Sequence, residues 1–198
     1  MEFKKIQLNG FKSFAEKTNF LIEDGLTGIV GPNGCGKSNI VESLRWCMGE
    51  TSAKSMRGSG MEDVIFSGTS NKPSKNIAEV SISLSNENKD GPIQYKELEE
   101  IHIRRKIEKD KGSKFYINDK EVRAKDAQMF FADLSTGAHS PSLISQGRIG
   151  ALVTAKPVDR RAILEEAAGI AGLHARRHEA ELRLGAAENN LKRADELR

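Results

Sequence analysis

Apolar residues in the first 31 positions recur at the spacing of short β-strands. Ile6 and Leu8 mark the first strand, a second apolar run covers residues 18–23, and a turn separates it from a third run at 26–31. Short apolar runs between turn residues are typical of strands. We therefore predict three strands, and the last of them runs directly into a glycine-rich loop.

After this loop, the apolar residues recur at the spacing of a helix instead of a strand. Ile40, Leu44 and Cys47 fall on one helical face. Gly49 is a natural C-terminal stop, so the pattern predicts a helix over Lys37–Cys47. A strand, a glycine-rich loop and a helix in this order form the entry of a nucleotide-binding unit.

The middle of the chain predicts an antiparallel β section. A short apolar run at Asp63–Phe66 and strict alternation at Ile77–Leu84 both favour strands. Two further segments, 100–107 and 114–122 with a turn at 118–120, extend the same section. A helix follows, because apolar residues recur at i, i + 3, i + 4 and i + 7: Ala127, Phe130, Phe131 and Leu134.

The C-terminal third is rich in helix formers. The pattern predicts a short helix near 146–153 and a second helix that starts at Pro157 and breaks at Gly169. From about Ala171 to Arg198 almost every residue is charged or a helix former. Apolar residues there fit the a and d positions of heptads, namely Ala180, Leu184, Ala187, Leu191 and Ala194. We expect the start of a coiled coil, with a solvated amphipathic helix as the alternative.

Composition narrows the class of protein without identifying it. The 198 residues suggest about one domain, and the net charge of +3 is too small to argue for nucleic acid by itself. Two cysteines cannot form a disulfide framework, which favours a reduced cytoplasmic compartment. No apolar run approaches the roughly 18 residues of a membrane helix, and the first residues do not resemble a signal peptide. We expect no membrane association.

The strongest chemical signal is Gly31–Ser38, which matches G-x-x-x-x-G-K-[ST]. Glycines let the backbone curl so that several N–H groups face one anion, and the helix N-terminus adds partial positive charge. Lys37 would reach the β- and γ-phosphates of a nucleotide, and the Ser38 hydroxyl would ligate Mg²⁺. Cys35 is either a redox-sensitive thiol or only a small side chain, whereas Cys47 is expected in the core.

Seven segments, taken in order, closely resemble the N-terminal head lobe of bacterial SMC (structural maintenance of chromosomes) proteins: Gly10–Phe14, Gly31–Asn39, Lys54–Gly58, Met61–Phe66, Ile144–Gly147, Arg160–Arg161 and Glu165–Gly169. The resemblance implies an α/β fold of the P-loop NTPase class. It implies an ABC-type ATPase half-head with an antiparallel β section and the start of a coiled-coil neck. Residues 1–170 would form the lobe, and residues 171–198 would begin the neck.

The resemblance also implies roles for individual residues. Lys37, Gln146 and Arg57 would act in catalysis, while Ser38 and Gln146 would hold Mg²⁺. ATP would be bound by Lys12 and Ser13 together with the loop residues Pro32, Asn33, Gly34, Cys35, Gly36, Lys37, Ser38 and Asn39. The family's signature motif and Walker B strand are not found here, so the general base lies outside this chain. We expect ATP binding with negligible turnover by the chain alone.

A basic stretch suggests contact with DNA. Nine basic and four acidic residues lie between His102 and Lys125. Residues in this stretch could contact DNA phosphates, although a solvated β surface explains them equally well. The predicted DNA contacts are Arg104, Arg105, Lys106, Lys109 and Lys111.

The family's partners complete the expectation. They are the C-terminal lobe of the same chain, a second SMC head in a homodimer, a kleisin subunit at the neck, and DNA. The implied function is ATP-driven head engagement and hydrolysis for chromosome condensation and segregation, in the cytoplasm and associated with the nucleoid. The alternatives are a RecN-like DNA-repair ATPase head and a nucleotide- or DNA-binding module without turnover.

Overall fold

A computed structural model describes residues 1–89, 91–134, 150, 153–158, 160–161, 164 and 171–196 of the chain. Six strands lie within these ranges: β1 (Glu2–Asn9), β2 (Thr18–Leu21), β3 (Ile77–Ser85), β4 (Glu100–Glu108), β5 (Gly112–Ile117) and β6 (Lys120–Val122). The longer helices are α1 (Lys37–Cys47), α2 (Ala124–Asp133) and α3 (Ala171–Glu196). Short 3-10 turns occur at Lys54–Met56, Met61–Val64 and Ile93–Tyr95.

The six strands form one antiparallel sheet in the order β2-β1-β3-β4-β5-β6. Side chains alternate between the two faces of a strand, so the register decides which residues share the core. One buried row across the sheet consists of Ile6, Ile82, Ile103 and Ile117. The predicted antiparallel section is therefore confirmed.

Helix α1 packs on the buried face of the sheet, against β3 and β4. Its Trp46 is fully buried, with its ring centroid 5.5 Å from that of Phe11. Cys47 donates from Sγ to the Val80 carbonyl at 3.5 Å, and burial raises the pKa of its thiol to about 12. Cys47 is thus a core residue, as the sequence predicted.

Arg105 is a core residue as well, and the prediction that it contacts DNA is wrong. It is only 3% exposed, because it lies in the inward-facing row of β4 with Ile103 and Ile107. Its guanidinium stacks between the rings of Trp46 and Phe115, at 4.5 Å from each centroid. Burial lowers its pKa to about 10, so the side chain remains a cation at neutral pH.

The hydrogen bonds of Arg105 explain how a cation is accommodated in this core. Nη1 donates to the carbonyls of Trp46 and Glu50 at 2.6 and 2.7 Å. Nε donates to Ser113 Oγ at 2.7 Å. The carbonyls at a helix C-terminus have no partner inside the helix and attract positive charge. Arg105 therefore joins the sheet to the C-terminal end of α1.

Two predicted strands are wrong. The segment 63–66 begins inside a 3-10 turn instead, because the Asp63 carboxylate accepts hydrogen bonds from the amides of Ser59 and Gly60 at 2.6 and 2.9 Å. These bonds hold the pKa of Asp63 below its usual range. Residues 26–31 form no strand either, since none of the described strands pairs with them.

The predicted helices agree with the structure wherever it describes them. Helices α1, α2 and α3 cover the predicted segments. The two helices predicted at 146–153 and from Pro157 to Gly169 fall largely outside the described residues, and Gln146 falls wholly outside them. Within the described ranges, no helix combines the length and apolar character that crossing a membrane requires.

We predict that Arg105→Ala lowers the free energy of unfolding by about 3 kcal/mol or more, because it removes a large buried side chain and the hydrogen bonds that it donates to the Trp46 and Glu50 carbonyls. The measurement is urea denaturation. Arg104→Ala is the matched control on the outer face of the same strand, with an expected loss of less than about 1 kcal/mol. Equal losses in the two variants would contradict the structural role of Arg105.

Candidate functional site

The phosphate loop leads directly into the first turn of α1. Gly34 and Gly36 have φ angles of 83° and 90°, in the left-handed region that favours glycine. A Cβ atom on Gly36 would lie 2.8 Å from Ser13 Oγ, so a side chain here would displace Ser13 as well as strain the backbone. No side chain caps the N-terminus of α1. The backbone amides of this turn are thus suited to an anionic group.

Lys37 lies over the same loop. Its ammonium donates to the carbonyls of Gly31 and Pro32 at 2.5 Å each, and it lies 3.9 Å from Cys35 Sγ. The first residue of α1 therefore holds its cation against the backbone of the loop. Contact between Lys37 and phosphates remains a prediction.

A chain of hydrogen bonds connects three other predicted residues beside α1. Asn39 donates from Nδ2 to Ser13 Oγ at 2.9 Å, and Arg57 donates from Nη2 to Asn39 Oδ1 at 2.9 Å. These residues lie 26 and 18 positions apart in the sequence. The fold brings them together at the first two turns of the helix that follows the phosphate loop.

Glu42 belongs to this cluster, although the sequence analysis missed it. Its Oε1 lies 2.5 Å from Arg57 Nε, and its Oε2 pairs with the ammonium of Lys12. Lys12 also donates to the Met56 carbonyl at 2.5 Å, and its side chain is only 14% exposed. Glu42 follows Asn39 by three residues, so both lie on one face of α1. This three-residue spacing was the sequence signal that could have identified Glu42 as part of the site.

Two cations of the cluster have unusual backbone conformations. Lys12 and Arg57 have φ angles of 46° and 53°, which non-glycine residues adopt at a cost of about 1–2 kcal/mol. Hydrogen bonds hold both positions: the Lys12 amide donates to the Val64 carbonyl at 2.7 Å, and the Arg57 amide donates to the Lys54 carbonyl at 3.0 Å. Such strain concentrates at functional sites in proteins.

The remaining predicted site residues are less constrained. Most of the phosphate loop is exposed, namely Pro32, Asn33, Gly34 and Cys35, as is Ser38. Gln146, predicted to hold Mg²⁺ and to act in catalysis, lies outside the described residues. Its position relative to Ser38 therefore remains a prediction.

The predicted DNA contacts separate into distinct environments. Arg104 pairs with Asp119 at 3.1 Å and stacks over the Tyr116 ring at 4.4 Å. Lys111 is exposed but pairs with Glu108 at 2.5 Å. Lys106 is half-buried and Lys109 is exposed. Much of the positive charge counted in the sequence is therefore neutralised on the outer face of the sheet.

The tip of the β4–β5 hairpin adjoins the 3-10 turn at Met61–Val64. Asp110 donates its backbone amide to Glu62 Oε1 at 3.0 Å. That turn follows the segment containing Arg57. The exposed lysines of the hairpin are thus connected, through Glu62, to the part of the chain that supplies Arg57 to the site.

Comparison with known proteins identifies the family. A family profile described as the RecF/RecN/SMC N terminal domain matches residues 2–147. The chromosome partition protein Smc of Rhodopseudomonas palustris is 56% identical over 197 residues. These residues are 100% of this chain but 17% of that protein, so the chain spans a small part of the length of this relative.

Solved structures agree with the family assignment. One, described as structural biochemistry of ATP-driven dimerization and DNA stimulated activation of SMC ATPases, has a TM-score of 0.71 and 31% identity, over 84% of this chain and 99% of that chain. Another is an Smc head domain from Pyrococcus furiosus with an extended coiled coil, bound to the C-terminal domain of ScpA. It has a TM-score of 0.76 and 33% identity, over 98% of this chain and 48% of that chain.

These similarities confirm the predicted fold class, a P-loop NTPase of the ABC type with an antiparallel β section. They also agree with the geometry of the phosphate loop and of the sheet behind α1. The chain belongs to the RecF/RecN/SMC N-terminal domain family, and it has the fold of the N-terminal lobe of an SMC head.

Proposed function

We propose that this chain is the ATP-binding half of an SMC head. The observation that carries the proposal is the uncapped N-terminus of α1 behind a left-handed glycine loop, with the Lys37 ammonium turned onto that loop. Backbone amides and Lys37 would bind the phosphates, and Ser38 with Gln146 would hold Mg²⁺. When bound, Mg²⁺ neutralises phosphate charge. Ser13, Asn39 and Arg57 would border the nucleotide.

The proposed head needs a second lobe from the rest of the same chain. Leu26 and Val30 are 96% and 92% exposed immediately before the phosphate loop, and Leu21 of the edge strand β2 is 70% exposed. Large exposed apolar side chains in one region are typical of a surface that another element covers. The C-terminal lobe would cover them and supply the signature motif and the general base.

Hydrolysis in this proposal requires two heads. The predicted homodimer would place ATP between the phosphate loop of one head and the signature motif of the other. One solved relative, described in terms of ATP-driven dimerization of SMC ATPases, supports this proposal. The alternative function, a nucleotide- or DNA-binding module without turnover, would then apply only to this part of the protein. The curated relative is named Smc, which gives no support to a RecN-like repair function.

The neck would bind a kleisin subunit. Leu184 and Leu191 of α3 are 64% and 66% exposed and follow the predicted heptad positions. They would pair with the helix that returns from the far end of the chain. The Pyrococcus furiosus head domain is bound to the C-terminal domain of ScpA, which supports a kleisin partner for the head, while its position at the neck rests on the family resemblance alone.

Contact with DNA would complete a role in chromosome condensation and segregation, in the cytoplasm and at the nucleoid. Lys109 and Lys111 are exposed at the hairpin tip, with Lys106 nearby on the outer face of β4. Because Arg105 is buried, it takes no part. A few lysines on a hairpin would bind phosphates without sequence preference.

We predict that Lys37→Ala weakens MgATP binding at least about tenfold, since it removes the charge-assisted contact with the phosphates. Equilibrium titration with a fluorescent ATP analogue measures this affinity. Lys120→Ala is the control, because it removes an exposed lysine on β6, the strand at one edge of the sheet. Unchanged affinity in Lys37→Ala would contradict the site, and robust ATP turnover by the chain alone would contradict the need for a second lobe.

For DNA, we predict that Lys109→Glu combined with Lys111→Glu weakens binding. The slope of log affinity against log salt concentration should fall by about 1–2, because binding with fewer phosphate contacts releases fewer counterions. Fluorescence anisotropy with a duplex at several salt concentrations measures both quantities. Lys4→Glu with Lys17→Glu gives the same change in net charge elsewhere on the chain. Equal effects of the two pairs would show that only net charge matters.

A further inference from the structure

The described part of the chain has one buried carboxylate that holds two cations beside the phosphate loop. Glu42 is 8% exposed and accepts from Lys12 and from Arg57 Nε. Lys12 and Arg57 come from different loops, 30 residues before and 15 residues after Glu42 along the chain. A buried carboxylate of this kind needs its cations in place, so it fixes the position of both.

The two cations differ in what remains available to a ligand. The Lys12 ammonium faces Glu42 and the Met56 carbonyl, and its side chain is 14% exposed. Arg57 is 59% exposed, with Nε committed to Glu42 and Nη2 to Asn39. A guanidinium has five N–H donors, so Arg57 still has donors to offer on its exposed edge. Lys12 acts as an anchor, and Arg57 is the cation that a ligand can reach.

The rigidity of Arg57 depends on Glu42. A free arginine side chain loses rotamer entropy when it binds a phosphate, and a side chain that is already held loses less. Glu42 and Asn39 hold the guanidinium by adjacent nitrogens and so fix the plane of its fork. The left-handed backbone conformation of Arg57 further restricts the direction in which its side chain leaves the backbone.

We propose that Glu42 is a positioning residue for nucleotide binding: it holds the Arg57 guanidinium in a fixed orientation beside the phosphate loop, with Lys12 as its buried counter-ion. The inference rests on the proposed ATP site for its functional consequence. Its structural part, the restraint of Arg57, stands independently of any nucleotide. Glu42 itself is only 8% exposed, so it would act on the ligand through Arg57.

The test uses a background in which no buried charge is left alone. Glu42→Gln by itself would leave Lys12 buried without its carboxylate and could unfold the chain. Lys12→Met removes that cation while Glu42 keeps its ion pair with Arg57. Adding Glu42→Gln to Lys12→Met then releases Arg57 alone. The comparison is therefore Lys12→Met against Lys12→Met with Glu42→Gln, each confirmed as folded by circular dichroism.

Two measurements are made on each variant. The Arg57 Nε–Hε resonance, assigned by its loss in Arg57→Lys, reports restraint of the guanidinium in the absence of nucleotide. Affinity for MgATP reports the functional consequence. We expect Glu42→Gln to shift and narrow the Arg57 resonance toward that of a mobile side chain. We expect it to weaken MgATP binding about tenfold, and to have no further effect once Arg57 is replaced by Ala.

The matched control is Arg45→Met against Arg45→Met with Glu50→Gln, so that no buried charge is left alone here either. Glu50 is 5% exposed just beyond the C-terminal end of α1 and pairs with Arg45 at 3.1 Å. Its replacement should lower thermal stability without changing the Arg57 resonance or MgATP affinity. An effect on affinity equal to that of Glu42→Gln would reduce Glu42 to a purely structural role and overturn the proposal.

The outcomes separate this inference from the proposed function. If the unmodified chain binds no MgATP, the proposed function fails while the Arg57 resonance still decides whether Glu42 restrains that side chain. An unchanged resonance on adding Glu42→Gln would overturn the inference even if MgATP binds as proposed. Weaker binding that adds fully to the effect of Arg57→Ala would also overturn it, since Glu42 would then act through another group.

Discussion

Buried charged side chains hold helix α1 at its middle and at its C-terminal end. At its C-terminal end, Arg105 donates to the carbonyls of Trp46 and Glu50. At the middle of the helix, Glu42 pairs with Lys12 and Arg57. A helix whose first amides are left for a ligand cannot use a capping side chain to fix that end. The ion pairs of Glu42, at the middle of the helix, provide the restraint instead.

Much of the fold follows from local sequence patterns, because these patterns correspond to buried faces. The alternation of Ile77–Leu84 predicts β3, and the helical spacing within Lys37–Cys47 predicts α1 with its observed bounds. At residues 26–31, the local pattern gave a wrong prediction. Their apolar character fits a strand, but a strand needs a neighbour for its backbone hydrogen bonds, and the described residues provide none.

The sequence motif predicted the phosphate loop of the candidate site, but the contacts that support the loop could not be predicted from the sequence. Gly31–Ser38 identifies the loop because glycine positions and a lysine are required for phosphate binding whatever the rest of the fold. Arg105 was misassigned because counting charges ignored the period of β4, which places it on the buried face between Ile103 and Ile107. Glu42 was missed because its partners come from loops distant in sequence, and only the folded chain brings them together.

The central claim is that this chain forms the phosphate loop by itself, whereas residues 26–31 before the loop gain a backbone hydrogen-bonding partner only from a second lobe. Amide hydrogen exchange of residues 26–31 tests this claim most directly, in the chain alone and with the C-terminal lobe added. We expect rapid exchange in the chain alone and protection greater by more than about tenfold once the lobe pairs with this segment. Strong protection in the chain alone, or no gain with the lobe present, would contradict it.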